Sequence, residues 1–250
     1  MPRDARPVAV EVPMRRPGWP SPFWVAFAVV IVKPISWLLI RKDWRRGDRL
    51  PREGGIIMVT NHLSWLDPIL IAHFLYNHGR WPVILAKSGL FSVPVIGHLV
   101  RAMQAIPVYR GSVDAARSLE ESRRRLAAGA CVMFYPEGTC TRDPDFWPME
   151  GKTGAARLAL ATGATVIPVA HWGVQEILPY GARRPRLLPR RTFSVQTGPP
   201  VDLSRYAGEP PGAEVLRAAT ADIMAAITAQ LAELRGEKPP PAPMARPAGH

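Results

Sequence analysis

Cysteine is nearly absent from this chain, with only Cys131 and Cys140 among 250 residues. That count excludes a disulfide framework and a Cys-rich zinc site. Acidic side chains are scarce as well, 20 against 32 basic ones, and only five of the basic residues are lysine. The net charge of +12 favours anionic partners: nucleic acid, phospholipid head groups or a phosphorylated substrate. With 47% hydrophobic residues, the chain is neither disordered nor collagen-like. His73, His78, His98 and His171 lack metal-ligand spacing, so no metal site is expected. No internal repeat is present. No Gly-x-Ser-x-Gly elbow surrounds Ser64. Lys152-Thr153-Gly154 is not a P-loop, since Phe146 stands where that motif needs glycine.

What is present is proline, 28 residues with clusters at both ends, and one long apolar run. Residues 1–21 read as a basic flexible arm. Pro22 to Ile40 is long enough nearly to cross a ~30 Å hydrocarbon core. Lys33-Pro34 interrupts it with a charge and a missing backbone donor. The pattern predicts two short helices meeting near Pro34, a hairpin half-sunk in the membrane interface over residues 22–45. The competing reading is the same hairpin buried against its own domain. A secretory signal is not expected, because the run ends in Arg-Lys-Asp-Trp-Arg-Arg rather than a small-residue cleavage site.

Residues 46–235 alternate between short apolar runs and helical patterns. Strands are predicted at Gly55–Thr60, Pro82–Ala86, Ala105–Val108, Cys131–Tyr135, Thr165–Ala170 and Thr192–Thr197. Helices are predicted at Pro68–Asn77, 88–100, 112–128, 152–162 and Ala213–Leu234. Such alternation predicts an α/β domain built on a mostly parallel sheet flanked by helices. Residues 236–250 are Pro-rich and expected to be disordered.

Three constellations carry chemistry. Asn61-His62-Leu63-Ser64-Trp65-Leu66-Asp67-Pro68 follows the first predicted strand. Pro68 pushes Asp67 out of helical geometry, so Asp67 caps the next helix and the loop can fold His62 back onto its carboxylate. A carboxylate on one imidazole nitrogen fixes the tautomer and leaves the other nitrogen as a general base. The bland alternative is a simple cap beside an ordinary loop histidine. Tyr135-Pro136-Glu137-Gly138-Thr139 exits another strand and offers an acceptor, exposed N–H groups and a hydroxyl for a polyol or phosphate. Ile106-Pro107-Val108-Tyr109-Arg110-Gly111 places Arg110 at a third strand end, where its planar fork suits a phosphate. Turn capping by Glu137 and a solvated Arg110 are the structural alternatives.

Taken together, the blocks resemble the glycerolipid acyltransferases of the 1-acyl-sn-glycerol-3-phosphate acyltransferase type. The likeness rests on Asn-His-x4-Asp at Asn61–Asp67, the Arg-bearing block at Ile106–Gly111, Pro-Glu-Gly-Thr at Pro136–Thr139 and Val-Ile-Pro-Val at Val166–Val169. It covers about residues 50–200. The resemblance implies an enzyme of phospholipid biosynthesis that moves a fatty acyl group from acyl-CoA or acyl carrier protein to a hydroxyl of lysophosphatidic acid or glycerol 3-phosphate. It assigns His62 as base and Asp67 as its orienting partner. Arg110, Glu137 and Gly138 would bind the acceptor. No cofactor is implied beyond the thioester substrate. The family usually continues its third block with Arg-Ser, whereas Cys140-Thr141 stand here. Phosphate recognition then passes to Arg142 or Lys152, with Thr139 beside them, or the acceptor differs: a glycolipid sugar hydroxyl or another lysophospholipid. The expected location is the cytoplasmic face of the cell membrane, peripheral or monotopic, on an anionic surface. A basic nucleic-acid-binding protein is the distant alternative, and its recognition motifs are missing, so no nucleic-acid partner is expected.

Overall fold

The apolar runs of the sequence become the interior of one mixed sheet. The computed structural model describes residues 20–108, 115–182, 184–208 and 212–246. Its strands are β1 (Ile40–Arg45), β2 (Ile56–Thr60), β3 (Pro82–Lys87), β4 (Ile106–Val108), β5 (Cys131–Phe134), β6 (Thr165–Trp172) and β7 (Arg191–Thr197). They lie in the order β1-β7-β6-β2-β5-β3-β4. Every neighbouring pair is parallel except β6 and β7. Central β2 pairs Met58 with Met133 on one side and Ile167 on the other. All of its residues are buried, as a strand covered on both faces must be, and this is why it reads as an unbroken apolar run.

Helices cover both faces: α1 (Pro22–Leu39), α2 (Asp67–Asn77), α3 (Ile96–Ala102), α4 (Ala115–Ala127), α5 (Gly154–Thr162), α6 (Val174–Ile177) and α7 (Ala213–Arg235). Strand side chains alternate between faces. Ile57, Val59, Val132 and Val166 pack with Ala155 and Ala159 of α5 and with Leu216, Ile223 and Ile227 of α7. Ile56, Met58, Met133 and Ile167 face the other way, onto Ile71 and Phe74 of α2 and Ile177 of α6. Each fully buried Ile, Leu or Phe contributes roughly 1.5–3 kcal/mol. Together these side chains fix the strand ends that carry the functional loops.

The N-terminal region departs from the sequence expectation. No hairpin forms: Pro22–Leu39 is one helix with Pro34 inside it. An interior proline forfeits a backbone bond, but no glycine or polar cap stands beside it to end the helix. Lys33 turns aside, its ammonium 4.9 Å from the centre of the Tyr76 ring. Residues 40–45, grouped with the apolar segment in the sequence reading, form edge strand β1 instead, with Ile40 opposite Arg191 of β7. Charged Arg41 and Arg45 face solvent there, a common guard on an open sheet edge. The expected arm falls outside the described residues up to residue 19. The expected 88–100 helix splits into a 3-10 turn at Ser88–Ser92 and α3, separated by Val95 at φ 65°. Part of the tail expected to be disordered is tied down, since the Glu150 N–H donates to the Met244 carbonyl at 3.0 Å. Prolines in that tail supply carbonyls but no competing donors.

Parallel β2, β5 and β6 end on the same sheet edge, so the segments after them converge there. Ligands of parallel α/β sheets characteristically bind at such an edge.

Candidate active site

The site begins where β2 runs out. Asn61 continues the β2–β6 ladder with its side chain: its amide donates to the His171 carbonyl at 3.0 Å, and its Oδ1 accepts the His171 N–H at 3.0 Å. The chain then loops back before α2. Asp67 is the first residue of that helix rather than its cap; Leu66 holds the cap position and makes no side-chain cap bond. The Asp67 carboxylate turns backward instead. Its Oδ2 accepts the N–H groups of Leu63 at 2.6 Å and Ser64 at 3.0 Å and lies 2.8 Å from His62 Nδ1. One oxygen therefore shapes the loop and holds the imidazole. With the carboxylate accepting, Nδ1 carries the proton and Nε2 keeps its lone pair. Asp67 is fully buried, whereas His62 keeps 15% of its side chain exposed. The pair is thus shielded at the acid and open at the base.

His171, read from the sequence as structural or surface, is a buried second neighbour of Asp67. Its Nε2 donates to the Asn61 carbonyl at 2.9 Å and lies 3.5 Å from Asp67 Oδ2. Burial lowers its pKa, with the Asp67 charge opposing. No spacing in the chain signals this contact, which depends on β6 lying beside β2.

Glu137 does not open toward solvent. It is 1% exposed; Oε1 accepts the His62 N–H at 3.2 Å and Oε2 the Met149 N–H at 3.0 Å. Burial pushes its carboxyl up to about 8, and the Met149 and His62 N–H groups pull the other way. A Thr141 N–H donates to the His62 carbonyl at 2.7 Å. The loop after β5 thus grips the His62 backbone from both sides.

Gly138 adopts φ 72°, and a Cβ there would meet the Lys152 stem at 3.1 Å. Only glycine suits both the turn and that close approach. The Lys152 N–H donates to the Pro136 carbonyl at 2.8 Å, so Gly138 and Lys152 share one corner of the loop, with half-buried Thr139 next to them. Arg142 lies over the Tyr180 ring, 3.8 Å from its centre, and donates to Tyr180 Oη at 2.7 Å. Tyr180 in turn meets the edge of Trp65 at 5.7 Å. Arg110 falls outside the described residues.

Neither side-chain nucleophile near His62 is poised to react. Ser64 Oγ donates to the Leu178 carbonyl at 2.7 Å, accepts the Leu66 N–H at 3.2 Å, and is fully buried. Cys140 Sγ lies 3.7 Å from Nδ1 and 3.6 Å from Nε2. Near-equal distances place the sulfur off the lone-pair line of either nitrogen. Burial pushes its thiol up to about 12, so the thiolate that would attack is scarce. What remains is a base whose free nitrogen can take a proton from a bound hydroxyl.

A family model described as Acyltransferase matches residues 44–172. The chain is 33% identical over 130 residues to the chloroplastic 1-acyl-sn-glycerol-3-phosphate acyltransferase BAT2 of Brassica napus, covering 50% of this chain and 35% of that protein. It is 30% identical over 123 residues to a 1-acyl-sn-glycerol-3-phosphate acyltransferase of Borreliella burgdorferi, covering 49% and 47%. The chain therefore spans less than half the length of these relatives. The crystal structure of the 1-acyl-sn-glycerophosphate (LPA) acyltransferase PlsC from Thermotoga maritima shares the fold, with a TM-score of 0.62 at 22% identity over 86% of this chain and 81% of that one.

Proposed function

The chain belongs to the acyltransferase family, and from that premise we propose that it transfers a fatty acyl group from a thioester to a hydroxyl of lysophosphatidic acid or glycerol 3-phosphate. The observation that carries this reading is the buried Asp67 carboxylate 2.8 Å from Nδ1 of a partly exposed His62. His62 Nε2 takes the acceptor hydroxyl proton as the oxygen attacks the thioester carbonyl. The tetrahedral intermediate collapses, the carbon–sulfur bond breaks, and the leaving thiolate recovers the proton from the imidazolium. Asp67 stabilises that imidazolium while it exists. Atoms and charge balance without a cofactor.

Glu137 acts in this reading through the His62 backbone rather than by touching the acceptor, because both of its oxygens already receive backbone N–H groups. Gly138 and Thr139 of the third block, with Arg142 and Lys152 after it, are then the residues of that loop proposed to hold the acceptor, with Arg110 as the further phosphate ligand that the resemblance implies. A charge-assisted bond from one such side chain contributes roughly 1.5–3 kcal/mol. The apolar helix α1, with only Val25 and Ser36 buried, attaches the enzyme to the cytoplasmic face of an anionic membrane. α7 also has the length and hydropathy of a span, but its stripe of Leu216, Ile223 and Ile227 packs on the sheet.

The test is an acyl-transfer assay of the full chain with acyl-CoA and acyl carrier protein as separate donors and a panel of glycerol phosphates, lysophospholipids and glycolipids as acceptors, products being read by mass spectrometry. Phosphatidic or lysophosphatidic acid is the expected product. Transfer to a sugar hydroxyl alone would replace the acceptor, and transfer undiminished in His62→Ala would remove the mechanism.

A further inference from the structure

The exposed apolar side chains are distributed one-sidedly. Outside α1 and Met244, every large hydrophobic residue exposed among the described residues falls in 61–69, 88–102 or 178–190. Val95 is 80% exposed, Leu188 82% and Trp65 57%. The strand directions put all three segments on one edge. The first follows β2 and the second follows β3, both parallel strands. The third precedes β7, which runs antiparallel to β6 and so starts where β6 ends. β1 is parallel to β7, which brings the C-terminal end of α1 to the same edge. His62 stands between the flanks, since β2 lies between β7 and β3 in the sheet. At about 4.8 Å per strand the two flanks are about 19 Å apart.

Charge follows the same division. The three segments contain no acidic residue except Asp67, which is buried, while Arg101, Arg184 and Arg186 are exposed in them. Of the edge's other exposed or half-buried acids, Asp143, Asp145 and Glu150 belong to the loop after β5, which presents no exposed large apolar side chain, and Glu176 of α6 is paired with Arg191 at 3.1 Å. Val95 is β-branched yet held at φ 65° with its side chain turned outward, a costly conformation of the kind found at functional positions. Apolar tips among arginines match a bilayer with anionic head groups and acyl chains beneath them.

We propose that the sheet edge carrying His62 is itself a bilayer-docking face, with Val95 on one flank and Leu188 on the other entering the lipid independently of α1. The proposal rests on the acyl-transfer reading for its purpose: a site mouth pressed to the bilayer receives acyl chains without carrying them through water.

The test uses the full chain labelled with an environment-sensitive fluorophore at Val95→Cys, Leu188→Cys or, on the opposite edge, Ala128→Cys. Burial keeps the native thiols of Cys131 and Cys140 near pKa values of about 11 and about 12, so the label goes to the introduced cysteine. With vesicles of phosphatidylglycerol and phosphatidylcholine, the labels at 95 and 188 should shift to an apolar signal and the label at 128 should not. Val95→Glu combined with Leu188→Glu should weaken vesicle partitioning roughly tenfold or more while leaving turnover of short-chain, water-soluble thioesters unchanged. Labels at 95 and 188 that stay in water while α1 holds the protein on vesicles would overturn the docking face. So would an apolar shift without lipid on self-association, which would assign the edge to a second copy, or a protein that does not bind vesicles. Lipid-dependent shifts in a protein that turns over no thioester would retain the face and discard the acyl-transfer reading.

Discussion

The Tyr135 ring lies over the His62 imidazole, centroids 4.1 Å apart and planes inclined by 27°. An aromatic face stabilises a cation by roughly 0.5–2 kcal/mol, so the stack favours the imidazolium formed during proton transfer. Tyr135 Oη is buried without a hydrogen-bond partner, so the ring matters here and the hydroxyl does not. Tyr135→Phe should keep turnover and the same or a higher melting temperature. Tyr135→Leu should lower kcat by about two- to thirtyfold, as steady-state kinetics on both variants would show.

His62→Ala should lower turnover by about 10²–10⁴-fold, the usual worth of a general base. Asp67→Asn should also be damaging, because an amide oxygen in the place of Oδ2 keeps the Leu63 and Ser64 N–H bonds but brings no negative charge to the imidazolium. Single-turnover assays with saturating thioester measure this directly.

Ser64→Ala should retain most activity but cost about 1–3 kcal/mol of stability, since the buried Leu178 carbonyl and Leu66 N–H lose their partner. Incubation of the wild-type enzyme with thioester alone should leave its intact mass unchanged. A stoichiometric acyl adduct would establish a covalent route in place of direct attack.

Glu137 makes stability depend on pH. Its folded-state pKa, raised to about 8 by burial, lies above that of an unfolded carboxyl. Folding therefore takes up a proton; the stabilisation is complete below the unfolded value and is lost as pH rises through about 8. The melting temperature should fall as pH rises from about 4.5, the ordinary carboxyl value, to about 8, and level off above it. Glu137→Gln should start lower, because its amide nitrogen must face an N–H group, and change less across that range. An equal slope in the two proteins would assign the effect to another group.

Both cysteines should resist alkylation in the folded protein, their thiols being pushed up by burial to about 11 for Cys131 and about 12 for Cys140. Mass spectrometry after iodoacetamide at neutral pH should find none modified natively and both modified in denaturant. Cys140→Ala should leave most activity intact, which separates proximity to His62 from participation.

The strands most plainly legible in the sequence are those buried throughout, Ile56–Thr60 and Cys131–Phe134, because burial on both faces leaves few polar interruptions. β1 carries Arg41, Lys42, Asp43 and Arg45, and its strand character comes from pairing with β7, far along the chain. The His62–Asp67 contact was legible because it is local, although Asp67 makes it from inside α2 and not as the cap that Pro68 was expected to impose. Glu137 was not. An acid before Gly-Thr at a strand exit looks open, and only the fold of residues 141–149 over it reveals that it faces inward. The placement of Arg142 on Tyr180 likewise depends on two loops that meet only in three dimensions.

α1 ends at Leu39 and β1 begins at Ile40, and the Arg190 guanidinium donates to both the Trp37 and Ile40 carbonyls. There is no leash between the apolar helix and the catalytic sheet. An enzyme on a flexible tether sweeps a volume above the surface that holds it; one joined without slack keeps a fixed height and tilt. With α1 attached to the bilayer as proposed, its encounters take place in the plane of the membrane, with lipid diffusing laterally to a stationary mouth. Rate should accordingly follow the mole fraction of acceptor in the bilayer rather than its total concentration in the suspension.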